Sequence, residues 1–307
     1  MELVEEYNRD SIRQSLEKWN KEITPTEERI KRMAREAGWL WPCKDANGKY
    51  GFKNTDGEVK IPCQWKEAWP FREGIAVVIS ANNKYGLIDK MGNTITPCKW
   101  EVAPTGFDEG VRPVKDENGL YGYIDKNGRE IIPCQWKDAW SFSEGLAAVK
   151  DNNDKYGFID HYGKVMITPQ FHGIHRTFRN GMAIVIEEDG LVGYINYDGI
   201  IVVPCKYLNA HDFSKDGLAV VQSNYYLGCF RNPDSFGYID KKGKPVIPCQ
   251  YKSARDFDDG QALVLDWEKS LWHIIDTQGK VLETKQRGFI PKLPNNNDNY
   301  NPYDYAE

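Results

Sequence analysis

The sequence predicts an all-β repeat protein with seven units of about 35 residues in a β-propeller-like arrangement, preceded by a short helical segment. Two observations lead to this prediction. An aromatic-glycine pair recurs at intervals of 35, 36, 35, 36, 44 and 36 residues, counting two degenerate copies. Each unit also contains short β-branched or aromatic runs bounded by turn residues, which is typical of β-strands. A fixed period of this length is the signature of a repeat architecture.

Several positions recur in fixed places within each unit. The aromatic-glycine pairs are Tyr50-Gly51, Tyr85-Gly86, Tyr121-Gly122, Tyr156-Gly157 and Phe236-Gly237, with Val192-Gly193 and Trp272-His273 as degenerate copies. Six residues after the second member of each pair stands another glycine, and a proline follows it in six units. A phenylalanine and a glycine close the unit, as in Phe142 to Gly145. So many fixed positions indicate that every unit has the same local structure.

The third complete unit shows what this local structure is. Asp125 to Gly128 has the composition of a hairpin turn, in which the aspartate accepts backbone amides and the glycine takes a positive φ. Ile131 and Ile132 begin the returning strand, and Pro133 is expected to end its pairing because proline has no amide hydrogen. Residues Gln135 to Phe142 fit either a fourth strand or a short helical turn. Each unit therefore has three or four short antiparallel strands.

Two segments flank the repeats. Residues 1–38 are predicted to be helical, with Ile30, Met33, Ala34 and Ala37 as an apolar stripe and Gly38 as a C-terminal stop. Residues 39–284 hold the repeats. Residues 285–307 have the composition of a disordered tail.

Composition narrows the class of protein. The net charge of −5 comes without a basic stripe, which argues against nucleic-acid binding. No run approaches the roughly 18 apolar residues of a membrane span, so membrane insertion is not expected. Seven cysteines in a chain with an acidic start favour a reducing, cytoplasmic location.

The repeated features together resemble the WG-repeat family of bacterial proteins. The resemblance rests on the aromatic-glycine pair, the turn that follows it, the isoleucine-proline step and the closing phenylalanine-glycine segment, over residues 39 to 283. The chain departs from the family in having tyrosine or phenylalanine at most leading positions and cysteine after the proline. The resemblance implies a structural or binding element and not an active site.

Two architectures fit seven units of three or four short strands each. A seven-bladed propeller is favoured, and its closing strand would come from Lys285 to Lys292. The alternative is an open β-solenoid with covered ends, on which the N-terminal helices could serve as a cap.

Five cysteines share one position in the repeat: Cys63, Cys98, Cys134, Cys205 and Cys249. Equivalent positions in successive repeats do not converge on one ion, so they are expected to be small buried apolar residues and no metal site is predicted. Cys229 lies in the longest insertion, where an exposed loop is expected.

His172 and His175, near His161 and His211, form the one histidine cluster, and we expect structural or surface roles for them.

One position varies between repeats while its neighbours stay fixed. We call it the variable column, and its candidate binding residues are Trp69, Trp140, His175, His211 and Arg255. Variable positions are free to serve binding, and Trp and Arg often dominate protein interfaces. These side chains are predicted to lie exposed along one face or rim, although they could instead cover the edges of neighbouring units.

No catalytic or cofactor-binding motif is present, and the carboxylates Glu73, Glu109 and Glu144 recur as expected for turn and capping groups. The sequence thus favours a non-enzymatic protein-interaction scaffold without a cofactor. The alternative is a glycan- or envelope-binding module that stacks exposed aromatics on sugars.

Overall fold

The computed structural model describes residues 33–103, 107–223 and 235–285. They form 26 strands in seven antiparallel sheets, which confirms the all-β repeat fold. Sheets 1 (β1–β3) and 3 (β8–β10) have three described strands; sheets 2 (β4–β7), 4 (β11–β14), 5 (β15–β18), 6 (β19–β22) and 7 (β23–β26) have four. In each sheet the strands follow one another in chain order.

We name the strands of a four-stranded sheet A, B, C and D in chain order. The three described strands of sheets 1 and 3 correspond to B, C and D. The A strands are β4 Glu67–Ala68, β11 Asp138–Ala139, β15 Gly173–Arg179, β19 Asn209–Ala210 and β23 Ser253–Ala254. The B strands are β1 Trp41–Lys44, β5 Ile75–Ile79, β8 Val111–Lys115, β12 Ala147–Lys150, β16 Met182–Ile186, β20 Leu218–Gln222 and β24 Gln261–Leu265. The A strands settle the open question about Gln135 to Phe142: this segment contains a fourth strand.

The aromatic-glycine pairs begin the C strands. These are β2 Tyr50–Lys53, β6 Tyr85–Asp89, β9 Tyr121–Asp125, β13 Tyr156–Ile159, β17 Val192–Ile195, β21 Phe236–Asp240 and β25 Trp272–Asp276. The D strands are β3 Val59–Trp65, β7 Thr94–Trp100, β10 Glu130–Trp136, β14 Val165–Phe171, β18 Ile201–Tyr207, β22 Pro245–Tyr251 and β26 Val281–Thr284.

The chain divides into two compact units. Of the described residues, the first unit holds 33–103 and 127–129, and thus sheets 1 and 2. The second holds 107–126, 130–223 and 235–285, and thus sheets 3 to 7 apart from one turn.

Within the described ranges no helix is long and apolar enough to cross a membrane.

The end of the predicted N-terminal helix is described. Residues 33–36 are helical, and Gly38 follows with a φ of 60° and donates its amide to Arg35 O. Gly38 therefore ends the helix as predicted. In the expected stripe Ala34 is buried, whereas Met33 and Ala37 are exposed. The remainder of the helical prediction (residues 1–32), the tail after Lys285, the rest of the proposed closing strand and Cys229 lie outside the described residues.

The D strands correct the prediction for the prolines. Strand β10 continues through Pro133 to Trp136, which pairs with Tyr121, while Ile132 pairs with Tyr123. Three residues of strand D, Pro133 to Gln135, thus lie opposite the single residue Gly122 of strand C, so Pro133 lies in a β-bulge and does not end the strand. In sheet 4, Pro169 occupies the place that cysteine takes in the other bulges, two residues before the pairing of Phe171 with Tyr156.

The bulge explains why the second residue of the aromatic-glycine pair has to be glycine. A Cβ atom on Gly122 would lie 2.5 Å from Ile132 O and 2.7 Å from Cys134 N. The backbone of the bulge therefore lies directly over the glycine, and no larger residue fits there.

The C–D turns form as predicted and also join neighbouring repeats. Asp160 Oδ1 accepts hydrogen bonds from the amides of Tyr162 and Lys164, both at 2.9 Å. Gly163 takes a φ of 78°, and a Cβ placed on it would be 3.1 Å from Ile132 in the D strand of the preceding sheet. Gly199, Gly243 and Gly279 approach the preceding repeat in the same way, whereas Gly57 in the first sheet has no such neighbour.

Within each unit the core lies between successive sheets. One cluster combines Phe158 and Ile167 of sheet 4 with Phe178, Ala183 and Val185 of sheet 5, all buried. Carboxylates add hydrogen bonds between repeats: Glu109 Oε2 accepts the Gly145 amide at 3.1 Å, and Glu144 Oε1 accepts the Asn180 amide at 2.7 Å. The capping role predicted for these two glutamates is confirmed.

Candidate functional site

The variable column occupies an equivalent position in successive sheets. Trp140, His211 and Arg255 each follow the last residue of an A strand and donate their amides to B-strand carbonyls at 2.9 to 3.0 Å. His175 occupies the same register within the longer strand β15. Trp69 lies in the first unit, and the other four residues lie in the second.

The column is more enclosed than the sequence predicts. Trp69 is 37 % exposed, whereas Trp140, His175, His211 and Arg255 are half-buried. The backbone of the column is also anchored from the core. The buried tyrosines Tyr123, Tyr194 and Tyr238 each donate a hydroxyl hydrogen bond of 2.7 Å, to the carbonyls of Trp140, His211 and Arg255 respectively.

These tyrosines were missed in the sequence analysis. They stand two residues after the leading residue of the aromatic-glycine or equivalent pair, where other repeats have Phe52, Leu87, Phe158 or Ile274. The alternation between tyrosine and phenylalanine at this position was a readable signal, because a buried hydroxyl requires a hydrogen-bond partner.

A pocket of about 490 Å³ opens beside Trp140 in the second unit. We call it the Trp140 pocket. Its lining residues are Asp108, Arg112, Pro113, Ala139, Trp140, Ser141, Phe142, Ser143, Thr177 and Arg179. They come from the B strand of sheet 3 and the turn before it, from the A strand of sheet 4 and the segment after it, and from the A strand of sheet 5, so three consecutive repeats build one site.

The Trp140 side chain is held in place by a carboxylate. Its indole Nε1 donates to Asp138 Oδ2 at 3.2 Å, and the same oxygen accepts the Tyr156 hydroxyl at 2.6 Å. Burial and the neighbouring Asp138 raise the pKa of Tyr156, so its hydroxyl keeps its proton and remains a donor. The tryptophan is therefore fixed in orientation before any ligand arrives.

Two guanidinium groups line the same pocket. Arg112 is half-buried; burial lowers its pKa and the charge of Asp108 raises it. Arg179 is more exposed, and its Nε lies 3.7 Å from Asp212 Oδ2. Burial raises the pKa of Asp212, although Arg176 and Arg179 oppose this shift. The pocket lining itself thus contains two positive groups and one negative group, Asp108.

The histidines of the column form a second polar group. His211 Nδ1 lies 2.8 Å from Asp256 Oδ1, which joins sheets 6 and 7. Burial lowers the pKa of His175, and the charges of Arg176 and His211 lower it further, so His175 is neutral at pH 7. The other two histidines of the predicted cluster have different neighbours: His161 is 3.3 Å from Glu109, and His172 is 2.6 Å from Lys155.

The cysteine column is half-buried and not fully buried as predicted. Cys98 Sγ lies 3.8 Å from Val78 O, and Cys249 Sγ lies 3.9 Å from Val221 O. Burial raises the pKa of Cys205 and of Cys249 to about 11. All described cysteines are free thiols. Within the described ranges, no group of three or more His, Cys, Asp or Glu residues is placed to hold a metal ion.

The repeats identified above match a known family model, the WG containing repeat. The matched segments are residues 50–85, 85–121, 121–156, 156–190, 193–226 and 236–265. The chain belongs to this family. Each of the first four segments begins at the leading residue of an aromatic-glycine or equivalent pair, so the family repeat runs from one C strand to the next.

The structure also resembles solved β-structures at low identity. BamB from Moraxella catarrhalis has a TM-score of 0.38 and 11% identity over 70% of this chain and 71% of that one. Kluyveromyces lactis Hsv2 has a TM-score of 0.37 and 10% identity over 74% and 87%. The WD40 β-propeller domain of Doa1 has a TM-score of 0.31 and 12% identity over 59% and 66%. None of the curated protein sequences matches the chain.

Proposed function

We propose that this WG-repeat protein is a non-enzymatic, cytoplasmic interaction scaffold that binds a protein partner at the Trp140 pocket. The observation that carries the proposal is the pocket itself, which unites a member of the variable column with two arginines from neighbouring repeats. Tryptophan and arginine are the residue types that most often contribute large binding energies in protein interfaces.

The size and preorganisation of the pocket fit this role. A volume of about 490 Å³ accommodates a few side chains of a partner. Because Asp138 already fixes the indole of Trp140, binding does not have to order this side chain.

The charges indicate which partner side chains the pocket prefers. Arg112 and Arg179 approach it from strands β8 and β15, while Asp108 is the single lining carboxylate. A guanidinium group pairs with a carboxylate through two parallel hydrogen bonds. We therefore expect the partner to insert an acidic side chain or a chain-terminal carboxylate, with apolar contact to Trp140.

The remaining column residues of the second unit are further candidate contacts for the partner, because His175, His211 and Arg255 occupy the equivalent position in sheets 5, 6 and 7. Trp69 holds that position in the first unit. The repeat carboxylates support a non-enzymatic role, because Asp160, Glu109 and Glu144 are engaged with backbone amides of turns. A general acid or base would need a carboxylate free to exchange protons with a substrate.

The test compares matched variants of the full chain in partner capture followed by titration of the purified partner. Arg179→Glu reverses a charge on an exposed side chain, and Trp140→Ala removes the indole. Tyr162→Ala is the control, because Tyr162 is 91% exposed and lies outside the pocket lining. We expect at least a tenfold loss of affinity for both pocket variants, equivalent to about 1.4 kcal/mol.

Thermal unfolding of each variant separates recognition from folding. Arg179→Glu should lower the melting temperature modestly, because it places a second carboxylate near Asp212. Trp140→Ala should also lower it modestly, since Trp140 packs against the cluster around Phe158. Both variants should remain folded at the temperature of the binding measurement. A partner held equally by wild type and Arg179→Glu would contradict the proposal. Absence of any protein partner, with binding to immobilised glycans, would support the glycan-binding alternative.

A further inference from the structure

Two free thiols meet in the first sheet. Cys43 in strand β1 and Cys63 in the bulge of strand β3 have their Sγ atoms 4.0 Å apart. Gly51 of strand β2 lies between them: it pairs with Cys43, and a Cβ on Gly51 would be 2.7 Å from Cys63 N. Because the glycine has no side chain, the two thiols face each other across the middle strand.

This pair depends on one residue in which the first repeat differs from the others. The place of Cys43, opposite the second residue of the aromatic-glycine pair or its equivalent, is filled by valine in the six other sheets: Val78, Val114, Val149, Val185, Val221 and Val264. Cys98 in sheet 2 occupies the same bulge position as Cys63 and faces Val78. The bulge cysteine is thus a repeat feature, whereas its thiol neighbour occurs in sheet 1 alone.

The surroundings permit the two sulfur atoms to approach further. Both cysteines are half-buried, so small reagents reach them. Strand β1 lies at the edge of its three-stranded sheet, where it pairs with β2 on one side. A disulfide requires the sulfur atoms to move from 4.0 Å to about 2.05 Å, and an edge strand with a side-chain rotation can supply this movement.

We infer that Cys43 and Cys63 form a redox modification site that closes to an intramolecular disulfide and reopens on reduction. The oxidant is hydrogen peroxide. One thiolate attacks a peroxide oxygen, which yields a sulfenic acid and one molecule of water. The second thiol then attacks this sulfur and releases a second water. The two thiols lose two hydrogens and two electrons in total, and the peroxide is reduced to two waters.

The site can be tested on the full chain. The reduced protein is treated with hydrogen peroxide, its remaining thiols are alkylated, and its peptides are mapped by mass spectrometry without reduction. We expect peptides containing Cys43 and Cys63 to be linked, with a mass lower by two hydrogens, and to separate after dithiothreitol. The Cys98 thiol should not appear in a linked peptide at the same peroxide dose, because its neighbour across the sheet is Val78 and no second thiol can attack its sulfenic acid.

Cys43→Val is the matched variant, since it installs the residue found in the six other sheets. It should abolish the link, leave the sulfenic acid of Cys63 without a resolving thiol as at Cys98, and preserve the melting temperature of the reduced protein. Cys98→Val is the control and should leave the link intact. Independent alkylation of Cys43 and Cys63 without a linked peptide would overturn the inference, as would preferential linkage of Cys63 to Cys229 or to a second chain.

Discussion

Two junctions between neighbouring sheets are built from equivalent residues but differ in how fully these residues are buried. The first junction joins sheets 1 and 2, and the fourth joins sheets 4 and 5. In the first, Phe71 packs on Phe52 with ring centroids 4.7 Å apart, and Phe71 remains half-buried. In the fourth, Phe178 packs on Phe158 at 4.9 Å and is fully buried, because Tyr197 stacks on it at 4.8 Å.

The two junctions also differ in the hydrogen bonds that cross them. At the fourth, Glu144 accepts hydrogen bonds from the Asn180 and Gly181 amides and from the Tyr197 hydroxyl. The corresponding place in the first repeat holds Gly38, which ends the helix. One repeat pattern therefore gives junctions of unequal strength, since Gly38 replaces the recurring glutamate in the first repeat and Tyr197 is not part of the repeated motif. In repeat proteins such interface contributions are expected to set local stability.

The largest expected effect comes from the closing phenylalanines. Phe178→Ala should destabilise the protein by about 3–5 kcal/mol, because it leaves a cavity in a fully buried cluster. Phe71→Ala should cost roughly half as much, because the half-buried ring leaves less empty volume. Chemical denaturation of both variants measures the difference. Equal losses would show that the two junctions do not differ in strength.

A smaller effect is expected at the turn glycines. Asparagine tolerates a positive φ, so Gly→Asn tests mainly the space around the side chain. A Cβ on Gly199 would be 2.7 Å from Ile167 Cγ2, and one on Gly92 would be 3.1 Å from Ile61 Cγ2. Gly199→Asn should cost about 1–3 kcal/mol, and Gly92→Asn less.

Gly57→Asn provides the control, because nothing lies within 4 Å of a Cβ at that position. Its change should stay within about 0.5 kcal/mol. If Gly57→Asn were as costly as Gly199→Asn, backbone strain and not inter-repeat packing would require the glycine.

The smallest effect concerns Glu144 and pH. Burial opposes its ionisation, but the hydrogen bonds from Tyr197, Gly181 and Asn180 outweigh burial and lower its pKa below 4.5. A lowered pKa in the folded state stabilises the protein above the unfolded-state pKa, and this contribution is lost as pH falls through the folded-state pKa. Because Glu144 is exposed, the contribution is at most about 1 kcal/mol.

Glu144→Gln should therefore lower the melting temperature at pH 7 and have little effect at pH 3. Thermal unfolding at the two pH values measures this, with Glu117→Gln in an exposed turn as the control. An equal loss at both pH values would assign the effect to packing of the side chain and not to its charge.

The tandem sheets were predictable because their signals are local. The aromatic-glycine pair, the aspartate turn and the closing phenylalanine each determine a few neighbouring residues, and seven copies make the pattern unmistakable. The error at Pro133 shows the limit of local reasoning. A missing amide hydrogen excludes ladder pairing at that residue, but it does not show whether the strand ends or bulges.

The candidate site was only partly predictable. The variable column identified Trp140 and its equivalents, because positions that differ among otherwise similar repeats stand out in one sequence. Arg112 and Arg179 were not identified, since they occupy unrelated places in their repeats and meet Trp140 only in three dimensions. The contact between Cys43 and Cys63 was missed for the same reason: they belong to different columns, and only the strand register brings them together.

The sequence by itself determined the number of repeats, the order of their strands and the residues that form each turn, because these depend on contacts between near neighbours in the chain. The tertiary structure decided the bulge over each glycine, the burial of the variable column, the Trp140 pocket and the thiol pair. Those features depend on contacts between residues of separate strands and separate repeats, and the spacing of residues along the chain does not specify such contacts.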